Sequence, residues 1–146
     1  MFPLQRVGKV SCGAGCAILA ALGIAAGLAL SSLYFGMCGN HVISEKLSPD
    51  GQLKAVVFRR GCGAVVQDST DVTILPANSH LPNESGNTFI LRGAGSVKLV
   101  WASPRSVRIR HDPRYYVGNA EQVVHVKIGL FRRETVAVHY SAKIRY

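Results

Sequence analysis

CGAGCAILAALGIAAGLALSSLYFGMC, residues 12–38, holds no charged side chain and is built mostly of Ala, Leu, Gly and Ile. At about 1.5 Å of rise per residue, a helix of that length spans roughly 40 Å, more than the apolar core of a bilayer. In hydrocarbon a helix satisfies its own backbone donors and acceptors, so Gly13, Gly15, Gly23, Gly27 and Gly36 are tolerated there. The stretch Cys12 to Cys38 therefore reads as a transmembrane segment. It divides the chain into a basic lead at 1–10, a transmembrane helix or signal anchor at 11–38 and a domain at 39–146. Gly23 and Gly27 stand one turn apart, a spacing that lets two anchors pack as a weak homodimer, although an Ala/Gly-rich run also produces it by composition alone.

The flanks orient the span. Arg6 and Lys9 lie before it and Lys46 is the nearest cation behind it, so positive-inside bias puts the N-terminus in the cytoplasm and the domain beyond the membrane. Cys12 and Cys16 then begin the span at the reducing face, while Cys38 and Cys62 sit where disulfides persist. A basic lead before an apolar run also fits a secretory signal. Cys38-Gly39-Asn40 stands where a bacterial lipoprotein carries its acyl chains, so acylation of Cys38 is the competing reading, and it excludes a disulfide at the same sulfur.

After the span the texture changes to period two with turn punctuation. Ser48-Pro49-Asp50-Gly51 is a turn in which Pro fixes one backbone angle and Gly accepts a positive one. Leu53, Ala55 and Val57 then alternate with Lys54, Val56 and Phe58, the pattern of a strand. Asp71 to Leu75 and Thr88 to Leu91 are shorter runs separated by a loop at 76–87, which contains the sequon Asn83-Glu84-Ser85. Val97-Leu99-Trp101 and Val107-Ile109, joined by Ser103 to Ser106, read as a hairpin. Val124-Val126-Ile128 and Val136-Val138-Tyr140 read as a second hairpin around Gly129 to Arg133, with Ile144 and Tyr146 continuing its phase. These short strands predict an all-β domain, a small antiparallel β-sandwich or barrel-like fold after the N-terminal transmembrane helix.

Cys38-Gly39-Asn40, the run SPDGQLKAVVFRRGCGAVV at 48–66, Ser69 to Leu75 and Gly86-Asn87-Thr88-Phe89 resemble a bacterial family of small membrane-anchored proteins of unknown function. The likeness spans about 38 to 103 and departs at Val65 and Val66, where the family carries two threonines. It implies an anchored domain in the cell envelope and brings no reaction with it. The Ser-Pro-Asp-Gly turn is also similar to one blade of a β-propeller, but no second copy follows at a fixed period.

Charge is distributed unevenly. The formal net charge is +9; residues 39–91 carry four Lys/Arg against five Asp/Glu, whereas residues 92–146 carry eleven against three. Lys98, Arg108 and Arg110 fall on the opposite phase from the apolar residues of their hairpin, which predicts one wet, basic sheet face. Such a face suits anionic lipid or a cell-wall polymer. With Tyr115, Tyr116, Phe131, Tyr140 and Tyr146 interleaved it would also suit single-stranded nucleic acid, a partner that location beyond the membrane argues against.

Chemistry is otherwise sparse. Cys62 reads as the disulfide partner of Cys38, closing a 25-residue loop for about 3.5 kcal/mol in the chain-entropy model, as a free structural thiol, or as a nucleophilic thiol activated by Arg59, Arg60 or a histidine. His125 and His139 lie opposite each other if the second hairpin centres on Arg132, without a third ligand. Glu45, Asp50, Asp68, Asp71, Glu84, Asp112, Glu121 and Glu134 form no evident acid–base pair, and no phosphate-binding or dinucleotide fingerprint appears. The sequence thus points to a non-enzymatic, single-pass protein of the bacterial inner membrane, with no metal or cofactor. Its domain would be periplasmic or extracellular and bind or scaffold an anionic envelope component. A lipoprotein acylated at Cys38, acting as a periplasmic binding or inhibitor protein, and a thiol enzyme using Cys62 are the alternatives.

Overall fold

Strand-forming alternation in the sequence becomes strands in the computed structural model, which describes residues 12–36, 38–63 and 66–142. The basic lead, Val65, Ile144 and Tyr146 lie outside them. The chain divides into two units, one ending at Gly36 and the other beginning at Met37.

In the first unit α1 (Cys12–Gly36) is a 25-residue helix with no acid in its first turn and no base in its last. At 1.5 Å per residue it is about 37 Å long. Ile18, Leu19, Leu22, Ile24, Leu28 and Leu30 are well exposed along it, and a Cβ added at Gly15, Gly23 or Gly27 would meet nothing. Side chains of α1 are described for Gly15 and residues 17–30. Among the described residues no helix is long and apolar enough to cross a membrane, so the span at 11–38 enters below as a proposal.

The second unit is all β. Its strands are β1 (Gly39–Leu47), β2 (Leu53–Gly61), β3 (Ser69–Pro76), β4 (Phe89–Arg92), β5 (Val97–Ser103), β6 (Ser106–His111), β7 (Val117–Ala120), β8 (Val123–Ile128) and β9 (Arg132–Ser141). They form two sheets, β1-β2-β3-β4-β7 and β5-β6-β9-β8. Leu53, Ala55, Val57, Val72, Ile74, Phe89 and Leu91 from the first pack against Leu99, Val107, Ile109, Val124, Val126, Val136 and Val138 from the second in one core. This is a sandwich, and the barrel alternative falls because the sheets are separate. The antiparallel expectation needs one correction: β6 and β9 run parallel, from Ser106↔Ala137 to Arg110↔Ser141. A strand pair remote in sequence is free to take either sense.

Two edge strands escape the period-two reading because neither holds a buried residue. β1 has no buried residue and is held by pairing along β2 from Gly39↔Gly61 to Leu47↔Lys54, with a bulge between Val42 and Ser44. β7, Val-Gly-Asn-Ala, pairs with β4 alone. At the other end of β2 the turn expected at Ser48 to Gly51 is formed: Gly51 N donates to Ser48 O at 2.8 Å, Gly51 takes φ +68, and Leu53 N donates to Ser48 Oγ at 3.0 Å.

The second hairpin is the other correction. Its register runs from Val123↔Ala137 through His125↔Thr135 to Ile128↔Arg132, so it turns over Leu130, not Arg132. The loop is only Gly129, Leu130 and Phe131, entered by Gly129 at φ +68, and both Arg132 and Arg133 belong to β9. His125 therefore faces Thr135, and His139 neighbours Arg108 on β6; the two histidines are not opposed.

Candidate functional site

Period-two geometry fixes what the outer face of β5-β6-β9-β8 presents. Where Val107, Ile109, Val136 and Val138 turn inward, their neighbours turn out: Lys98 opposite Arg110, Val100 opposite Arg108, His139 beside Arg108 and Ser141 beside Arg110, and Lys127 opposite Arg133. Lys98, Arg108 and Arg110, expected on one face, are brought together there as exposed neighbours. Arg108, Arg110, His139 and Ser141 line a groove of about 270 Å3 between β6 and β9. Lys127 and Arg133 extend the same face, and the sequence reading missed them because it placed Arg133 in the turn.

Among the described residues no acid stands on this face. Their ion pairs lie elsewhere: Lys54 with Glu45, Arg105 with Asp50 and with Glu134, Arg114 with Asp112, and Arg132 with Glu134. Directly opposed like charges such as Lys98 and Arg110 destabilise a sheet by some tenths of a kcal/mol. The arrangement is thus one that an anionic partner relieves.

Arg105, in the β5–β6 turn, does the opposite kind of work. Its Nε donates to Glu134 Oε2 at 2.6 Å, Nη1 to Asp50 Oδ2 at 2.7 Å and Nη2 to Gln52 Oε1 at 3.1 Å. This fastens the Ser48–Gly51 turn to β9. The Ser48 hydroxyl, donating at 2.6 Å, is the first cause that holds the Asp50 carboxyl down at about 2, with Arg105 adding to it. Arg105 is the main cause that lowers Glu134. These acids serve the architecture, as does Asp112, held at about 2 chiefly by hydrogen bonding from Arg114. Tyr140, stacked on Phe89 with centroids 5.4 Å apart, has its hydroxyl 2.5 Å from Glu121 O and 3.1 Å from Thr88 O. Burial pushes its pKa up.

The outer face of the first sheet is closed instead. The loop at 77–88 is tied across it: Asn40 Nδ2 donates to Pro82 O and Glu84 O, Arg60 Nη1 to Asn83 Oδ1, and the Asn87 amide exchanges two bonds with the Ile74 backbone like a short strand. Gly86 comes so close to β3 that a Cβ there would stand 2.6 Å from Val72 O and 2.8 Å from Phe89 O. Val56, Phe58 and Asp71 are consequently fully buried on the face away from the core. Asp71 Oδ2 accepts from Gly86 N at 2.8 Å, while Oδ1 has no hydrogen-bond partner among the described residues. It floors a cavity of about 180 Å3 with Arg60, Cys62, Ser69, Ser85 and Arg92.

Cys38 and Cys62 are joined in a disulfide, one step beyond the Gly39↔Gly61 pair that ends the β1–β2 ladder. In this form neither sulfur is available for acylation or as a nucleophile. Among the described residues no group of three His, Cys, Asp or Glu side chains is placed to hold a metal; His125 Nδ1 is instead 3.2 Å from Thr135 Oγ1.

Fold and face together define a disulfide-closed β-sandwich with one roofed sheet and one bare cationic sheet. Compared with protein-family models, with curated proteins and with solved structures, the chain matches none.

Proposed function

We propose that this is a non-enzymatic, single-pass protein of the bacterial envelope, whose outer β domain binds or scaffolds an anionic component through the face carrying Lys98, Arg108 and Arg110. One observation carries the reading: five cations, these three with Lys127 and Arg133, share one exposed sheet face on which, among the described residues, no acid stands. Phospholipid head groups and anionic wall polymers both present the phosphate or carboxylate oxygens that guanidinium groups grip best. Two observations support the setting. The apolar side chains of α1 are exposed, as lipid-facing residues are, and the disulfide belongs to an oxidising compartment. The resemblance over residues 38–103 agrees with an anchored envelope protein.

The test is binding of the full chain in detergent micelles to a soluble anionic wall polymer across a salt series. Binding should weaken steeply with salt, and Lys98→Gln/Arg108→Gln/Arg110→Gln should weaken it at least tenfold while the fold melts as before. Equal binding by the triple variant would overturn the assignment of the face. Protease added to spheroplasts tests topology: the domain should be digested from outside, and its protection there would refute the proposed orientation.

A further inference from the structure

Among the described residues the tip of the β8–β9 hairpin is the most exposed apolar point of the β domain. Leu130 is 92% and Phe131 98% exposed, in a three-residue loop where turn chemistry favours Gly, Asn and Asp. Among the described residues neither side chain belongs to the core. Behind them the chain is basic: Lys127 and Arg133 face each other across the ladder, and Arg132 follows the loop at once. Arg132 is paired with Glu134, whereas Lys127 and Arg133 have no acid partner among the described residues. Two large apolar residues at an exposed tip, with unpaired cations immediately behind, form the pattern of a segment that enters a lipid interface.

The spacing fits that surface. Lys127 and Arg133 lie two to three residues behind the tip, about 7–10 Å at some 3.3 Å per strand residue. The polar layer on each side of a bilayer's hydrocarbon core is about 5–8 Å deep. A tip whose Leu and Phe reach the acyl boundary therefore sets the ammonium and guanidinium groups at the level of the phosphates. A protein groove would accept the same apolar pair, but it gives no reason for Lys127 and Arg133 to stand at that depth without an acid partner among the described residues.

We infer that the Gly129–Phe131 loop is a membrane-inserting tip, with Leu130 and Phe131 entering the interface of an anionic bilayer and Lys127 and Arg133 engaging its phosphates. This deepens the envelope reading and rests on it in taking a bilayer to be within reach of the domain.

The experiment uses the full chain reconstituted in vesicles, with Trp101, its sole tryptophan, as baseline and Phe131→Trp as reporter. In phosphatidylglycerol vesicles the added fluorescence should be quenched by shallowly brominated lipids and shielded at least threefold from acrylamide relative to the protein in detergent. In pure phosphatidylcholine vesicles, or with Lys127→Gln/Arg133→Gln added, the shielding should be lost. A reporter that stays open to acrylamide and unquenched by brominated lipid in anionic vesicles overturns the inference. Shielding that is equal in both lipids, or unchanged by the charge variant, overturns the phosphate contact. Polymer binding through Lys98, Arg108 and Arg110 is measured without a bilayer, so failure of the tip and failure of the face are told apart.

Discussion

The two sheets of the sandwich share one core yet treat their outer faces in opposite ways. The β1-β2-β3-β4-β7 sheet is roofed by the loop at 77–88, which buries Phe58, Val56 and Asp71 and is clamped by Asn40, Arg60 and Asn87. The β5-β6-β9-β8 sheet has no roof among the described residues and shows opposed cations to solvent. The difference separates side chains that serve the fold from those left for something outside it. Arg60 and Arg105 donate to side chains of their own domain; Lys98, Arg108 and Arg110 have no such acceptor among the described residues. Charge is informative here only once the internal ion pairs have been taken away.

The sharpest way to break the contrast is to empty the roofed face. Phe58→Ala should cost about 3–5 kcal/mol in urea unfolding, as expected for loss of a large buried ring, whereas Val100→Ala on the bare face should stay within about 0.5 kcal/mol. Similar losses at both positions would mean that the second face is covered too. Asp71→Ala takes the acceptor from the Gly86 amide under the roof, and a loss of about 1–3 kcal/mol is expected, with faster amide exchange at Gly86 and Asn87. No change would show that the loop is held without Asp71. The smallest effect belongs to the bare face: Arg110→Gln relieves repulsion from Lys98 and should raise stability by a few tenths of a kcal/mol at low salt, a gain that disappears in high salt. A clear loss of stability would place Arg110 in the architecture.

Five strands were legible because at least one side of each is buried, which writes apolar residues at every second position of β2, β5, β6, β8 and β9. β3 and β4 were legible from their aromatic and branched residues alone. β1 and β7 carry no such record, since neither has a buried residue and both are held by backbone bonds that any side chain permits. Several of the residues that stood out in the sequence serve the fold: Ser48 to Gly51 makes a turn, Asn40 and Asn87 clamp the roof, and Gly86 allows its close approach to β3. The site was half legible. Lys98, Arg108 and Arg110 lie in a hairpin whose centre was read correctly; Lys127 and Arg133 lie in one read two residues too late, an error that also hid Leu130 and Phe131 as an exposed tip.

By itself the sequence determined the apolar helical stretch, the β class, the Ser48–Gly51 turn and the basic bias of residues 92–146, because these follow from composition and from contacts between near neighbours. It narrowed Cys38 and Cys62 to a pair without deciding that they join. Tertiary structure alone decided the parallel β6–β9 pairing, the roof over Phe58 and Asp71, and which of the described cations pair with acids. Each of these depends on segments remote in the chain meeting in space, and no local period or turn signal records where such segments meet.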